Sequence, residues 1–182
     1  MKNAVILHGT LNNSHDNWFP WLKKELENRG YEVFLPDLPG ADKPRIDRYN
    51  EFLLKNWEYN GKTIMIGHSS GAVAILGLLQ DLPEGVVIKK AILVAAFKDD
   101  LDWDPTRELF LRPFDFEKIK QHCQEFVLIA SDNDAYVSLE HGEYFKKNLG
   151  TELIVLKGQG HFSIESAGKK YRQFPFLLTL IK

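Results

Sequence analysis

Short apolar runs and longer, mixed stretches alternate along the chain. Runs rich in β-branched residues cover 4–7, 32–35, 63–66, 90–95, 126–130 and 153–156. Most are apolar at nearly every position rather than at every second one. That is the pattern of strands buried on both faces of a parallel sheet. Between them the spacing predicts helices over 18–28, 48–57, 70–80, 116–121, 139–148 and 167–181. In the first, Trp18, Phe19, Trp21, Leu22 and Leu26 supply an apolar face, and Gly30 ends the helix. The third is apolar almost throughout, as a helix buried in a core must be. Pro175 interrupts the last. Strand and helix in strict alternation predict one three-layer α/β domain over 1–182, with right-handed crossovers.

Two stretches have no clean period. One is 36–44, rich in Pro, Gly and Asp. The other, 97–113, is 17 residues long and leaves the end of the fourth strand. It is too short for a large cap domain. It carries Asp99, Asp100, Asp102 and Asp104, with Phe97, Trp103 and Phe110, and Phe114 just beyond. These four aromatics are candidates to wall a small apolar pocket; the alternative is a solvated acidic loop with aromatic anchors.

Composition narrows the function classes. A chain of 182 residues with 44% hydrophobic residues can bury a full core, and a net charge of −2 exerts no general pull toward nucleic acid or anionic membrane. One cysteine, Cys123, excludes an internal disulfide framework and fits a reducing cytoplasm. The apolar start at 4–7 is too short for a signal peptide, and no run approaches a membrane span. The expected location is cytoplasmic.

The chemistry lies at strand ends. Gly67-His68-Ser69-Ser70-Gly71 fits G-x-S-x-G between a strand and a helix, the context of a nucleophile elbow with Ser69 as nucleophile. The glycines leave room where a Cβ would clash, and the helix start turns the Ser70 N–H toward a developing oxyanion. Serine needs a base, and the base an orienting acid, in the chain order Ser, Asp or Glu, His. After the fifth strand come Asp132, Asn133 and Asp134; after the sixth comes His161 in a glycine-rich turn. Asp134 is the preferred acid because Val137 can anchor its loop, while Asp132 or Asn133 can cap a helix or brace the turn. The second oxyanion N–H is expected from the His8-Gly9-Thr10-Leu11 loop, from Thr10 first and Leu11 second. His68 is given no role, because alternation along the strand points it away from its neighbour. No histidines share metal-ligand spacing, so neither metal nor cofactor is expected. A dinucleotide site with Asp37 on a ribose fails because the first strand leads to His8-Gly9-Thr10, not to G-x-G-x-x-G.

The chain resembles the small serine hydrolases typified by retinoblastoma-binding protein nine. The likeness rests on residues 18–26, on Gly67 to Ala72, on Arg112-Pro113-Phe114-Asp115-Phe116 and its continuation to Lys120, on the Asp134 loop, and on Gly160-His161-Phe162. It implies an α/β-hydrolase fold with strand order 2-1-3-4-5-6 and a Ser69–Asp134–His161 triad. Ala135 departs from the family, in which proline often follows the acid. The family's Leu-x-Cys-x-Glu-directed partner is not carried over, since Gln121-His122-Cys123-Gln124-Glu125 lacks the leucine. The expected activity is hydrolysis of a small ester or amide through an acyl-enzyme, carboxylesterase-like or amidase- or aminopeptidase-like. The alternative is a non-catalytic binding protein on the same scaffold.

Overall fold

The structure is a computed structural model that describes residues 1–181. Six strands form one sheet: β1 (Asn3–Leu7), β2 (Glu32–Phe34), β3 (Ile64–His68), β4 (Lys90–Val94), β5 (Phe126–Ser131) and β6 (Leu153–Leu156). Every pairing is parallel, and the order is β2-β1-β3-β4-β5-β6. This is the strand order expected above. The reversal between β1 and β3 opens a crevice at their C-terminal ends, where such sheets carry ligands.

The sheet is buried on both sides, and the side-chain period of two divides its residues cleanly. Val5, Leu7, Met65, Leu93 and Leu128 point to one face. There they meet α2 (Ile46–Asn56), α3 (Ser70–Asp81), α4 (Phe116–Gln121) and α5 (Leu139–Leu149) through Leu53, Leu76, Ile119 and Phe145. Ala4, Ile6, Ile64, Ile66, Ile92 and Ile129 point to the other. That face is covered by α1 (Phe19–Glu27) and by the C-terminal segment through Trp18, Leu22, Phe162, Phe174 and Leu177. No helix among the described residues is long and apolar enough to cross a membrane.

The expectation of one helix over 167–181 is corrected. The segment is α6 (Ile164–Ala167), a 3₁₀ turn (Lys169–Arg172) and α7 (Phe176–Thr179). Gly168 breaks it with φ +81°, Gln173 is extended, and Pro175 precedes the last turn. Apolar spacing survives across these breaks because Tyr171, Phe174 and Leu177 all pack on α1 and the sheet. The stretch after β4 is also less irregular than its sequence, since Asp104–Phe110 forms a 3₁₀ helix.

Candidate active site

Ser69 stands between β3 and α3 with φ 56° and ψ −123°. A non-glycine residue rarely adopts this conformation, and it persists only where the surroundings over-determine it. Here the Ser69 N–H donates to Val94 O at 2.8 Å, and its carbonyl accepts from Ala72 N at 2.9 Å. The two flanking glycines are required by close approach. A Cβ on Gly67 would stand 2.5 Å from Gly71 O and 2.6 Å from Ala72 Cα, and one on Gly71 would stand 2.3 Å from Leu7 O. The turn therefore closes against backbone on both sides.

The acid and the histidine arrive on the loops after β5 and β6. Asp134 Oδ2 accepts from His161 Nδ1–H at 2.7 Å, and the Asp134 side chain is only 1% exposed. Its Oδ1 accepts from Tyr136 N and Val137 N, at 2.9 and 3.1 Å, so the carboxylate is fixed from both oxygens. Val137 is buried beneath it. Asp132 lies elsewhere: its Oδ1 accepts from Gly158 N at 2.8 Å. Asn133 Oδ1 accepts from Gly160 N at 2.8 Å. Both side chains brace the turn that bears His161, the turn-bracing role weighed for them above; neither caps α5.

On the opposite side Thr10 Oγ1–H donates to Ser70 Oγ at 2.8 Å, tying the loop after β1 to the first turn of α3. Leu11 is corrected as an oxyanion donor, because its N–H donates to Ala41 O at 2.9 Å. His8 is a backbone brace: its Nδ1–H donates to Gly9 O and its Nε2 accepts from Leu38 N, each at 2.9 Å.

Ser69, His161, Thr10 and Gly9 share a cavity of about 750 Å³. Phe97, Leu101, Trp103 and Tyr136 supply apolar wall, and Asp16 and Glu165 are its acidic side chains. Phe110 and Phe114 do not line it, contrary to expectation. Phe110 packs behind Phe97, with ring centroids 5.8 Å apart. Phe114 lies beyond Phe110 and lines a separate, smaller cleft near Arg112 and Asp81. The stretch from Arg112 is a brace for that cleft: Arg112 pairs with Asp81 at 2.7 Å, and Asp115 caps α4 through Lys118 N.

His68 makes a contact that strand alternation does not anticipate. Alternation does send its ring to the α1 face, beside Trp18 and Phe19. The turn after β6 folds over that same edge, however, and His68 Nε2–H donates to His161 O at 2.7 Å. Burial pushes the His68 pKa down to about 3, with the neighbouring His161 acting in the same direction. The ring is therefore neutral at ordinary pH. Nothing in the local sequence signals this contact, which depends on a turn 93 residues away. Among the described residues no three His, Cys, Asp or Glu side chains are grouped to hold a metal ion.

Sheet order, strained elbow and crevice together define an α/β hydrolase. The Serine hydrolase family model matches residues 4–180, and the chain belongs to that family. It is 29% identical over 163 residues to the Bacillus subtilis (strain 168) protein YdeN, covering 88% of this chain and 86% of that one. It is likewise 29% identical over 165 residues to the serine hydrolase RBBP9 of Rattus norvegicus, covering 89% and 87%. The crystal structure of the B. subtilis ydeN gene product superposes with a TM-score of 0.90 at 26% identity, covering 99% of this chain and 96% of that one.

Proposed function

We propose that this serine hydrolase cleaves a small ester or amide through an acyl-enzyme, with Ser69 as nucleophile, His161 as base and Asp134 as orienting acid. The observation that carries the reading is the 2.7 Å bond from His161 Nδ1–H to a buried Asp134 carboxylate, with His161 lining the same cavity as the strained Ser69. That bond leaves Nε2 as the unprotonated ring nitrogen. Nε2 takes the Ser69 proton as Oγ attacks the carbonyl carbon. The amides of Ser70 and Thr10 receive the oxyanion. Collapse breaks the bond to the leaving group, which takes its proton from His161. Water then attacks the acyl carbon and gives a proton to His161; collapse breaks the acyl–Oγ bond, Ser69 Oγ takes that proton back, and the acid leaves. None of these steps calls for a cofactor.

A fluorophosphonate probe tests the nucleophile. One adduct on Ser69 is expected, absent in Ser69→Ala, with loss of turnover by about 10⁴- to 10⁶-fold. Unchanged hydrolysis by a folded Ser69→Ala protein would end this reading.

A further inference from the structure

The turn that carries His161 is held at almost every polar atom. On its amide side, Gly158 N donates to Asp132, Gln159 N to Ser131 Oγ, Gly160 N to Asn133 and His161 N to Ser166 Oγ, all within 3.0 Å. On its carbonyl side there are two bonds from buried rings. Trp18 Nε1–H donates to Phe162 O at 3.1 Å, and His68 Nε2–H donates to His161 O at 2.7 Å. The turn needs such holding, because Gly160 and Phe162 both have φ +54°. For a bulky residue such as Phe162 this conformation is strained.

We infer that His68 is a positioning residue for His161: its Nε2–H fixes the carbonyl of the base's own residue, and with it the aim of the imidazole. The inference rests on the triad reading given above. It assigns a task to the variable position of the G-x-S-x-G sequence. The proton must sit on Nε2, because the His161 carbonyl only accepts. Nδ1 is then bare, and it is buried without a hydrogen-bond partner among the described residues.

An imidazole suits this position for a second reason. The two rings lie 4.8 Å apart by centroid. His161 becomes an imidazolium during the reaction, and a second cation at that range would oppose it. Burial keeps His68 neutral while it still donates a hydrogen bond. The charged or titratable groups that act on it are His161, Asp134 and His8. A lysine or arginine there would supply the donor together with the wrong charge.

Three variants and one spectrum test it. Turnover of p-nitrophenyl butyrate is measured well below each variant's melting temperature. His68→Leu removes the donor, and kcat is expected to fall by about 10- to 10²-fold, the cost of misplacing a reacting group. His68 also lines part of the cavity, so the test is the split: the loss should fall on kcat more than on KM. His68→Gln carries an N–H where Nε2 stood and should recover most of kcat, whereas the shorter His68→Asn should not. Imidazole ¹⁵N resonances of the unaltered protein should show His68 protonated on Nε2. Wild-type kcat in folded His68→Leu would overturn the inference, as would equal losses in the Leu and Gln variants or a proton on Nδ1. Should His68→Leu not fold, the Gln and Asn variants and the spectrum still decide. Failure of the triad reading looks different: the unaltered protein would show no Ser69-dependent turnover at all.

Discussion

Asp134 and Val137 are joined by the bond from the Val137 N–H to Asp134 Oδ1, so the loop after β5 ties its carboxylate to its own buried anchor. The other oxygen, Oδ2, is thereby left to His161. Asp134→Asn is expected to cut turnover by about 10⁴-fold, since an amide favours the wrong histidine tautomer. Asp132→Asn touches only the Gly158 amide and should cost far less, mostly as a small loss of loop stability. Steady-state rates of the two variants, measured side by side, check the assignment; the reverse ranking would move the acid to Asp132.

The elbow makes a prediction about space. Gly71→Ala would place a methyl 2.3 Å from Leu7 O and 2.6 Å from His8 O, both backbone atoms that cannot swing aside. Either α3 or β1 must shift, and the loss should reach or exceed the ~1–3 kcal/mol typical of overpacking. Gly61→Ala is the control, because its nearest neighbours would lie at 3.8 and 3.9 Å and its φ is not positive. Urea unfolding should show a lower midpoint for Gly71→Ala and none of that drop for Gly61→Ala. Fluorophosphonate labelling should slow only in the first.

These two relationships mark what could be read in advance. The four central strands β1, β3, β4 and β5 were legible because each is buried on both faces, so apolar residues crowd at every position, whereas the edge strands β2 and β6 are partly exposed and keep only a short apolar run. The elbow was legible because close backbone approach demands glycine at Gly67 and Gly71 and leaves a local signature. The C-terminal segment was misread as one helix because Tyr171, Phe174 and Leu177 keep an apolar spacing while the backbone between them breaks. Phe110 and Phe114 have the composition of a pocket wall but sit behind Phe97, a matter of depth that spacing along the chain does not encode. The occupied Leu11 N–H and the His68 contact are tertiary facts: each partner is supplied by a segment at least 30 residues away.

Buried neutral histidines make stability fall on mild acidification. His68, His8 and His141 all have pKa values lowered by burial, His68 to about 3. Below the ordinary value near 6.5 the unfolded chain binds a proton at each, while folded His68 stays neutral down to about pH 3. The unfolded state therefore binds more protons, and stability is full above pH ~6.5 and lost as pH falls. For His68 alone the slope is about 1.4 kcal/mol per pH unit once the unfolded histidine is charged. Urea unfolding between pH 7 and pH 5, where most carboxylates stay ionised, should reveal it, and His68→Gln should show a shallower dependence. A stability flat over that range would mean that these rings are not buried in neutral form.

The cavity predicts what the proposed hydrolase accepts. Its volume of about 750 Å³ is that of a small-molecule site, and Phe97, Leu101 and Trp103 give it an apolar wall. Each methylene buried against that wall should gain about 0.8 kcal/mol until the space is filled, after which longer chains extend into water and gain nothing. Activity on p-nitrophenyl esters from two to sixteen carbons should therefore peak at short chains. Trp103 is 42% exposed at the mouth, so Trp103→Ala should lower kcat/KM for the preferred ester while leaving acetate nearly unaffected. Charge adds a second axis. Asp16 and Glu165 line the cavity and, among the described residues, neither lysine nor arginine does, so an ester with a free acyl-chain carboxylate should react more slowly than its neutral counterpart. A hemisuccinate compared with a butyrate of the same phenol, at low and high salt, isolates this effect. The gap should narrow as salt screens the two acidic side chains. Peak activity at sixteen carbons, or abrupt activation at a lipid interface, would show instead that Leu101 and Trp103 open onto a lipid-binding surface and do not bound a pocket.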